Sequence, residues 1–306
     1  MTTGSKLWKR GVGLLLGTLA LATVAVPVRS ALLARADLHP TRQPVRSLQG
    51  RADLAGFQPV AFSAADGVGI RGWWLPPRNG SAIILVHGWG ESREQMVPQA
   101  LMLARHGFGV LAFDLRAHGE SGGELSTSGD QERRDVRAAI DFAATRPDVG
   151  PGSIGIVGFS IGALAAADVA IDDGRVAAIV LEAMHGSLEE LVIHDYGAHG
   201  FLTELPARWT YRASGVDVAD LAPGERICGL APRPLLLIYG ERDPEAPVGE
   251  GRQVLARSCG PASMWVVPGG GHGGWSGDEV GALEARLVTF FSESLASREV
   301  HRRNGL

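Results

Sequence analysis

The stretch IGIVGFSIGALAA, residues 154–166, decides the fold of this chain. It begins with β-branched residues typical of a buried strand and ends with alanine and leucine, which favour helix. Ser160 lies between them, at a sharp turn from strand into helix. Gly158 and Gly162 leave room for the strand and the helix to approach each other closely. Such a turn presents the serine hydroxyl as a nucleophile, and the helix that starts at Ile161 directs backbone N–H groups toward the reacting centre.

The pattern Gly-x-Ser-x-Gly also occurs at residues 119–123, around Ser121. The pattern alone is weak evidence, because chance supplies roughly 0.3 matches in a chain with these glycine and serine frequencies. Ser121 has neither a strand before it nor a helix after it. The context therefore favours Ser160 as the nucleophile, and the alternative for Ser160 is an ordinary helix N-cap serine.

Strand and helix patterns alternate on both sides of this stretch. After a hairpin over residues 57–75, strands are predicted at 82–86, 109–113, 154–159, 176–181, 235–239 and 264–267, and helices at 95–105, 130–145, 161–171, 250–256 and 279–297. This alternation is typical of a parallel sheet covered by helices. It breaks over residues 183–230, which are too many for an ordinary loop, so we predict a small cap inserted into a core of residues 57–182 and 231–299.

The first thirty residues differ from the rest of the chain. Lys6, Lys9 and Arg10 precede residues 11–28, which carry no charge. Eighteen residues are near the lower limit for a membrane-spanning helix and exceed a typical signal-peptide apolar region. Residues 1–30 are predicted to be a signal anchor, with a cleaved signal peptide as the alternative. A signal anchor places the domain on the non-cytoplasmic face of a membrane, and a cleaved signal peptide makes it secreted or periplasmic. Residues 31–56 are predicted to be a tether.

Composition excludes several classes of partner. The chain has 306 residues and a formal net charge of −4, and no basic run follows the first ten residues, so nucleic acid is not expected as a partner. Two cysteines, Cys228 and Cys259, cannot form a thiolate metal cage, and they fit either a disulfide or two free thiols. The histidines at 185, 194 and 199 lack the spacing of a metal site, and the oligomeric state is left open.

Three further segments follow strands and reach the same edge of the predicted sheet. His-Gly-Trp-Gly at residues 87–90 follows one strand, Asp243 follows another, and His272 lies in a glycine-rich loop after the last strand. The carboxyl ends of parallel strands meet at one edge, which puts Asp243 and His272 beside Ser160. The alternatives are a turn aspartate and an exposed loop histidine, and Glu241 and Glu245 are lesser candidates for the acid.

In this order the motifs resemble the α/β-hydrolase superfamily, and the resemblance covers residues 57–297. It implies a mostly parallel eight-stranded sheet flanked by helices, with a small cap. It also implies a catalytic triad of Ser160, Asp243 and His272, with the amides of Trp89 and Ile161 as the oxyanion hole. By the same resemblance, residues 113–121 brace the oxyanion loop, and His87 is structural.

The implied reaction is hydrolysis of an ester or thioester of a small-molecule or lipid-like acyl substrate, through an acyl-enzyme and without a cofactor or metal. Aromatic residues of the cap are candidates for the substrate pocket: Tyr196, Phe201, Trp209 and Tyr211. One alternative is an exopeptidase of the same fold, with Glu182, Glu189 or Glu190 holding a free amine. Another is a non-catalytic, membrane-tethered interaction protein.

Overall fold

A computed structural model describes residue 12 and residues 23–303. Its described part contains an eight-stranded sheet with the order β1-β2-β4-β3-β5-β6-β7-β8. The strands are β1 Gln58–Ser63, β2 Gly69–Leu75, β3 Ala82–Val86, β4 Gly109–Phe113, β5 Ile154–Phe159, β6 Val176–Glu182, β7 Leu235–Gly240 and β8 Ala262–Val267. β2 runs antiparallel to β1 and β4, and the other neighbours are parallel. The predicted fold class is confirmed.

Helices cover both faces of this sheet. They are α1 over residues 23–37, α2 Val97–Arg105, α3 Glu132–Ala144, α4 Ile161–Asp172, α5 Leu188–Tyr196, α6 Phe201–Ala213, α7 Pro223–Arg226, α8 Val248–Arg257 and α9 Asp278–Arg303. Side chains alternate along β5, so Gly155 and Gly158 face opposite sides. A Cβ at Gly155 would lie 2.5 Å from Phe291 of α9, and one at Gly158 would lie 2.6 Å from Ala163 of α4. Helices α9 and α4 therefore press on opposite faces of the central strand.

The insertion between β6 and β7 consists of α5, α6 and α7, and it starts at the carboxyl edge of the sheet, where the predicted site lies. Its α6 is tied to the core by a hydrogen bond between the hydroxyls of Tyr211 and Ser128, 2.9 Å apart. A disulfide joins Cys228 to Cys259, which settles the pairing that the sequence left open. It connects the end of the insertion to the segment before β8.

Residues 31–56, predicted to be a tether, pack against the core in the structure. Ala34 and Leu38 are fully buried, and the Arg42 guanidinium donates hydrogen bonds to the carbonyls of His118 and Gly123, at 3.1 and 2.7 Å. The apolar residues of this segment are too few to show a strand or helix period, yet they pack on the core. The segment is therefore part of the folded domain.

The predicted membrane segment, residues 11–28, lies mostly outside the described residues, which include residue 12 and residues 23–28 of it. Within the described part of the chain, no helix is both long enough and apolar enough to cross a membrane.

Candidate active site

Ser160 lies between the end of β5 and the start of α4 with φ 54° and ψ −122°. A positive φ is strained for a residue with a side chain, and costs on the order of 1–3 kcal/mol. The glycines beside it are required, because a Cβ at Gly162 would lie 2.3 Å from the carbonyl oxygen of His87. At Gly158 a Cβ would meet α4, as described above. The close approach of strand, helix and oxyanion loop therefore holds the serine in this geometry.

Two backbone N–H groups flank the serine. Ile161 is the first residue of α4, so its N–H has no partner within the helix. Among the described residues, no hydrogen-bond acceptor lies on the N–H of Trp89. A Cβ at Gly88, the residue before Trp89, would lie 3.3 Å from the Ser160 Cβ, so the loop passes directly over the elbow. Both predicted oxyanion donors are therefore free to bind a negatively charged oxygen.

The amides on either side of Trp89 are fixed by side chains. Gly88 N–H donates to Gln95 Oε1 at 2.8 Å, and Gly90 N–H donates to His118 Nε2 at 3.0 Å. These two roles were missed in the sequence, because Gln95 and His118 stand 7 and 28 positions from the amides that they bind. They hold the loop so that the Trp89 amide keeps its direction.

His87 is a structural residue of this loop. Its Nδ1 donates to the Gly88 carbonyl at 2.7 Å, and its Nε2 accepts from the Leu115 amide at 3.0 Å. Burial lowers the pKa of His87 to about 3, so the ring stays neutral. With both ring nitrogens bonded, His87 has none left to act as a base.

His272 and Asp243, the predicted base and acid, are in direct contact. His272 Nδ1 lies 2.8 Å from Asp243 Oδ2, and Asp243 Oδ1 accepts from the amides of Glu245 and Ala246 at 2.8 and 3.0 Å. Burial alone would raise the pKa of Asp243, but the hydrogen bonds from His272 and from these amides hold it below its ordinary value. These contacts favour the charged form of Asp243, which is the form that the predicted orienting role requires.

The two lesser candidates for the acid lie elsewhere. Glu241 Oε2 accepts a hydrogen bond from the Gly269 amide at 2.8 Å. Glu245 Oε2 lies 3.4 Å from His272 Nε2, and the Glu245 side chain is 63% exposed. Glu245 therefore approaches Nε2 of His272, whereas Asp243 approaches Nδ1, and these two positions distinguish the candidates.

The loop that carries His272 rests on the residue before the nucleophile. The rings of Phe159 and His272 are 4.9 Å apart, and a Cβ at Gly273 would lie 2.7 Å from the Phe159 ring. Phe159 is the last residue of β5, and Ser160 follows it. The structure therefore brings the predicted nucleophile, base and acid to one edge of the sheet.

Ser121, in the second Gly-x-Ser-x-Gly pattern, is buried and serves the fold. Its Oγ donates to the Asp114 carbonyl at 2.6 Å and accepts from the Arg71 amide at 2.9 Å. The Asp114 carboxylate binds the amide and the guanidinium of Arg93, each at 2.8 Å. Residues 113–121 are thus braced by hydrogen bonds that leave the Ser121 hydroxyl unavailable for chemistry.

None of the four predicted pocket residues lines the cavity beside His272 in the described part of the chain. Tyr196 and Tyr211 are buried in the cap, where the Tyr196 hydroxyl bonds Asp37 and that of Tyr211 bonds Ser128. Phe201 and Trp209 lie on the outer face of α6 and are 70% and 74% exposed. Composition could not separate the two faces of this helix, since both carry aromatic residues.

The histidines of the insertion are engaged in other contacts. His185 Nδ1 lies 2.9 Å from Glu250 Oε2, and His194 Nε2 lies 2.8 Å from the Pro244 carbonyl. Within the described residues, no group of three or more His, Cys, Asp and Glu side chains is placed to hold a metal ion.

A cavity of about 370 Å³ adjoins His272. Its walls include apolar side chains of α2 and α9 together with Phe159, and its polar groups include Glu182, Gln99 and Trp275. Glu182 Oε2 is 3.4 Å from both Gln99 Nε2 and Trp275 Nε1. Gln99 Oε1 is buried with no hydrogen-bond partner in the described part of the chain. The one sequence signal for this cavity was a glutamate at the end of an otherwise apolar strand.

Glu182 has an unusual environment for a carboxyl group. It is fully buried, and burial raises its pKa from the ordinary 4.5 to about 7, against smaller opposing effects from Trp275 and Gln99. A carboxyl group that is protonated more readily when folded stabilises the fold most at low pH. The contribution is lost as pH rises from the unfolded-state pKa toward about 7, where Glu182 ionises.

We therefore expect Glu182→Gln to flatten the pH dependence of stability. The shift corresponds to about 3 kcal/mol, so the variant should exceed the wild type in free energy of unfolding by up to about that amount near pH 8 and little near pH 4. Urea unfolding at a series of pH values measures the difference. Burial also raises the pKa of Asp135, to about 6. Because both proteins contain Asp135, its contribution cancels in the difference between their free energies of unfolding. Parallel curves for the two proteins would contradict the account.

Known proteins share this fold and this chain's sequence pattern. Residues 77–209 match the hydrolase family described as serine aminopeptidase, S33. An uncharacterized protein of Mycobacterium tuberculosis is 30% identical over 237 residues, which are 76% of this chain and 78% of that protein. A thiohydrolase of Aspergillus aculeatus is 29% identical over 193 residues, 60% of each chain.

The solved structure of an esterase from Pyrococcus furiosus superposes with a TM-score of 0.69 and 25% identity, and the match covers 84% of this chain and 98% of that one. The chain belongs to the α/β-hydrolase superfamily, because it has the sheet and the strand-to-helix turn of that superfamily and matches its sequences. These relatives support hydrolase activity.

Proposed function

We propose that the protein is a serine hydrolase that cleaves an ester or thioester of an acyl or lipid-like substrate. The observation that carries the proposal is the His272–Asp243 contact of 2.8 Å on a loop that rests beside the strained Ser160 elbow. Strain at a turn is tolerated where the surrounding structure enforces it, and active sites are where such strain concentrates.

The reaction proceeds through an acyl-enzyme. His272 Nε2 accepts the Ser160 hydroxyl proton while the oxygen attacks the substrate carbonyl, and the amides of Trp89 and Ile161 bind the resulting oxyanion. His272 then returns the proton to the leaving alcohol or thiol. A water molecule, deprotonated by His272, releases the acid in the same way. Asp243 stabilises the imidazolium in both halves.

The names of two similar proteins indicate which type of substrate bond to test first. The Pyrococcus furiosus protein is named an esterase and the Aspergillus aculeatus protein a thiohydrolase. Both names describe transfer of an acyl group from oxygen or sulfur to water, which this triad performs without a cofactor. Esters and thioesters are therefore the first substrates to test.

An exopeptidase or amidase is a second candidate function, and one specific observation favours it. Glu182 and the unpaired Gln99 Oε1 face a cavity that also borders His272. A substrate ammonium group would donate hydrogen bonds to both and would neutralise the buried carboxylate. The matched family's description as serine aminopeptidase agrees with this candidate.

One substrate panel separates the two functions. We expect the purified protein to hydrolyse p-nitrophenyl esters or acyl thioesters at a rate that depends on acyl length, and aminoacyl p-nitroanilides much more slowly. Glu182→Gln is the matched variant, because it removes the charge and keeps the shape. If nitroanilides are the better substrates and Glu182→Gln abolishes only their cleavage, the peptidase function replaces the esterase function.

We also propose that residues 1–30 are a signal anchor, with a cleaved signal peptide as the alternative, and either one puts the domain on the non-cytoplasmic side of a membrane. The Cys228–Cys259 disulfide supports this, because disulfides persist in oxidising compartments.

A further inference from the structure

Exposed apolar side chains are concentrated on two helices. The described residues include nine large hydrophobic side chains that are exposed, and seven of them belong to α1 and α6. These seven are Val24, Val28, Leu32, Leu33, Phe201, Leu205 and Trp209. Single exposed hydrophobic residues are normal on a soluble surface, but a cluster of this kind marks a binding surface.

Helix α1 is apolar on the side that faces solvent. Val24, Val28 and Leu32 recur every four residues and are 63%, 51% and 61% exposed. The opposite side of α1 packs on the protein through Ala34, which is fully buried, and Ser30, which is 3% exposed. Packing of α1 therefore does not account for its exposed stripe.

Helix α6 repeats the arrangement. Phe201, Leu205 and Trp209 recur every four residues and are 70%, 48% and 74% exposed. The buried side of the same helix holds Ala207 and Tyr211. A cap helix that already packs through one side has no folding reason to carry a phenylalanine and a tryptophan on the other.

The two stripes meet. A groove of about 720 Å³ runs between the helices, and its walls include Leu32 of α1 together with Phe201, Leu205 and Trp209 of α6. The Ser30 hydroxyl donates to the Thr203 carbonyl at 2.6 Å and ties the helices together. The stripes therefore form one continuous surface, which we call the apolar face: Val24, Val28, Leu32, Phe201, Leu205 and Trp209.

The sequence indicates what covers the apolar face. The uncharged residues 11–28 run directly into α1, and Val24 and Val28 belong both to that stretch and to the face. Two basic side chains, Arg29 and Arg35, are exposed on α1 beside the face. Arginine attracts anionic headgroups, and tryptophan is favoured at the boundary between headgroups and acyl chains.

We propose that the apolar face of the uncleaved chain lies in the surface of a lipid bilayer, with the solvent-facing sides of α1 and α6 against the boundary between headgroups and acyl chains. Helices with one apolar side and flanking basic residues insert to about 5–10 Å, at the boundary between headgroups and acyl chains. The cap is then in contact with lipid, and the domain is held in one orientation on the membrane.

A fluorescent label attached to the apolar face measures directly whether the face is in contact with lipid. The full chain carries two cysteines, both in the disulfide, so Leu205→Cys supplies a single thiol for an environment-sensitive dye. The matched control is Asp148→Cys, an exposed position before β5, at the sheet edge opposite the cap. Each labelled protein is placed in vesicles of phosphatidylcholine and phosphatidylglycerol, with and without lipids that carry a quencher on the acyl chain.

We expect the label at 205 to shift its emission to the blue and to lose most of its fluorescence to the quencher, while the label at 148 changes little. Equal, weak quenching at both positions would overturn the proposal, even with the chain bound to vesicles through residues 11–28. A label at 205 that is shielded from the quencher in a dimer would also overturn it, because the face would then join two copies. The label reports position independently of ester hydrolysis, so failure here is distinct from failure of the proposed function.

Discussion

Ser160→Ala is expected to lower kcat/KM for the best ester by about 10⁴-fold or more. Removing a triad nucleophile leaves only the rate enhancement from the oxyanion hole and from substrate binding. Alanine should fit the elbow, since it keeps the Cβ and loses only the hydroxyl. The measurement is steady-state hydrolysis, with circular dichroism and thermal unfolding to establish that the variant is folded.

Ser121→Ala is the matched control for this variant. Its buried hydroxyl makes two hydrogen bonds, with the Asp114 carbonyl and the Arg71 amide, so we expect a loss of about 1–3 kcal/mol in stability. Folded Ser121→Ala protein should keep its kcat within a few-fold, because the hydroxyl takes no part in chemistry. Retained activity in Ser160→Ala, or a loss of chemistry in Ser121→Ala alone, would reverse the assignment of the nucleophile.

Asp243→Asn is expected to reduce kcat by about 10⁴-fold with a smaller change in KM. The amide cannot stabilise the imidazolium, and its NH₂ group would favour the wrong tautomer of His272. Hydrogen bonds from His272 and from the amides of Glu245 and Ala246 favour the charged form of Asp243 and lower its pKa. The matched control is Glu245→Gln, which changes a carboxylate that lies near the other ring nitrogen of His272 and is mostly exposed.

We expect Glu245→Gln to alter kcat by less than about tenfold, since the Glu245 side chain is mostly exposed and its interaction with His272, even when His272 is protonated in the reaction, is worth at most about 1 kcal/mol. If Asp243→Asn stays active while Glu245→Gln loses activity, the acid is Glu245. The two variants differ from wild type by the same chemical change, so the comparison isolates the position of the carboxylate.

The strands and the elbow were predictable because each is specified locally. A run of β-branched residues, a serine and an alanine-rich helix lie within residues 154–166, and the predicted bounds of β3, β4 and β5 agree with the structure. Asp243 was predictable from its place after β7, but Glu241 and Glu245 share that place. Their contacts separate them, because Asp243 bonds Nδ1 of His272, Glu245 lies near Nε2, and Glu241 bonds the Gly269 amide.

The surroundings of the site could not be predicted in the same way. Gln95 supports the oxyanion loop through a contact across a turn, and Glu182 becomes unusual only when α2 and the His272 loop enclose it. The exposure of the aromatic residues on α6 depends on which face of the helix packs inward. Ala207 and Thr203 lie on the inward face. Such features arise where segments far apart in the sequence come into contact, and a local sequence pattern carries no information about those contacts.

The central claim is that Ser160 is the activated nucleophile. The most direct test is to treat the purified protein with a fluorophosphonate probe and to locate the adduct by mass spectrometry of its peptides. The account predicts one modified serine, Ser160, with labelling lost in Ser160→Ala and strongly reduced in Asp243→Asn. A folded wild type that takes up no probe, or an adduct at another serine, would contradict it.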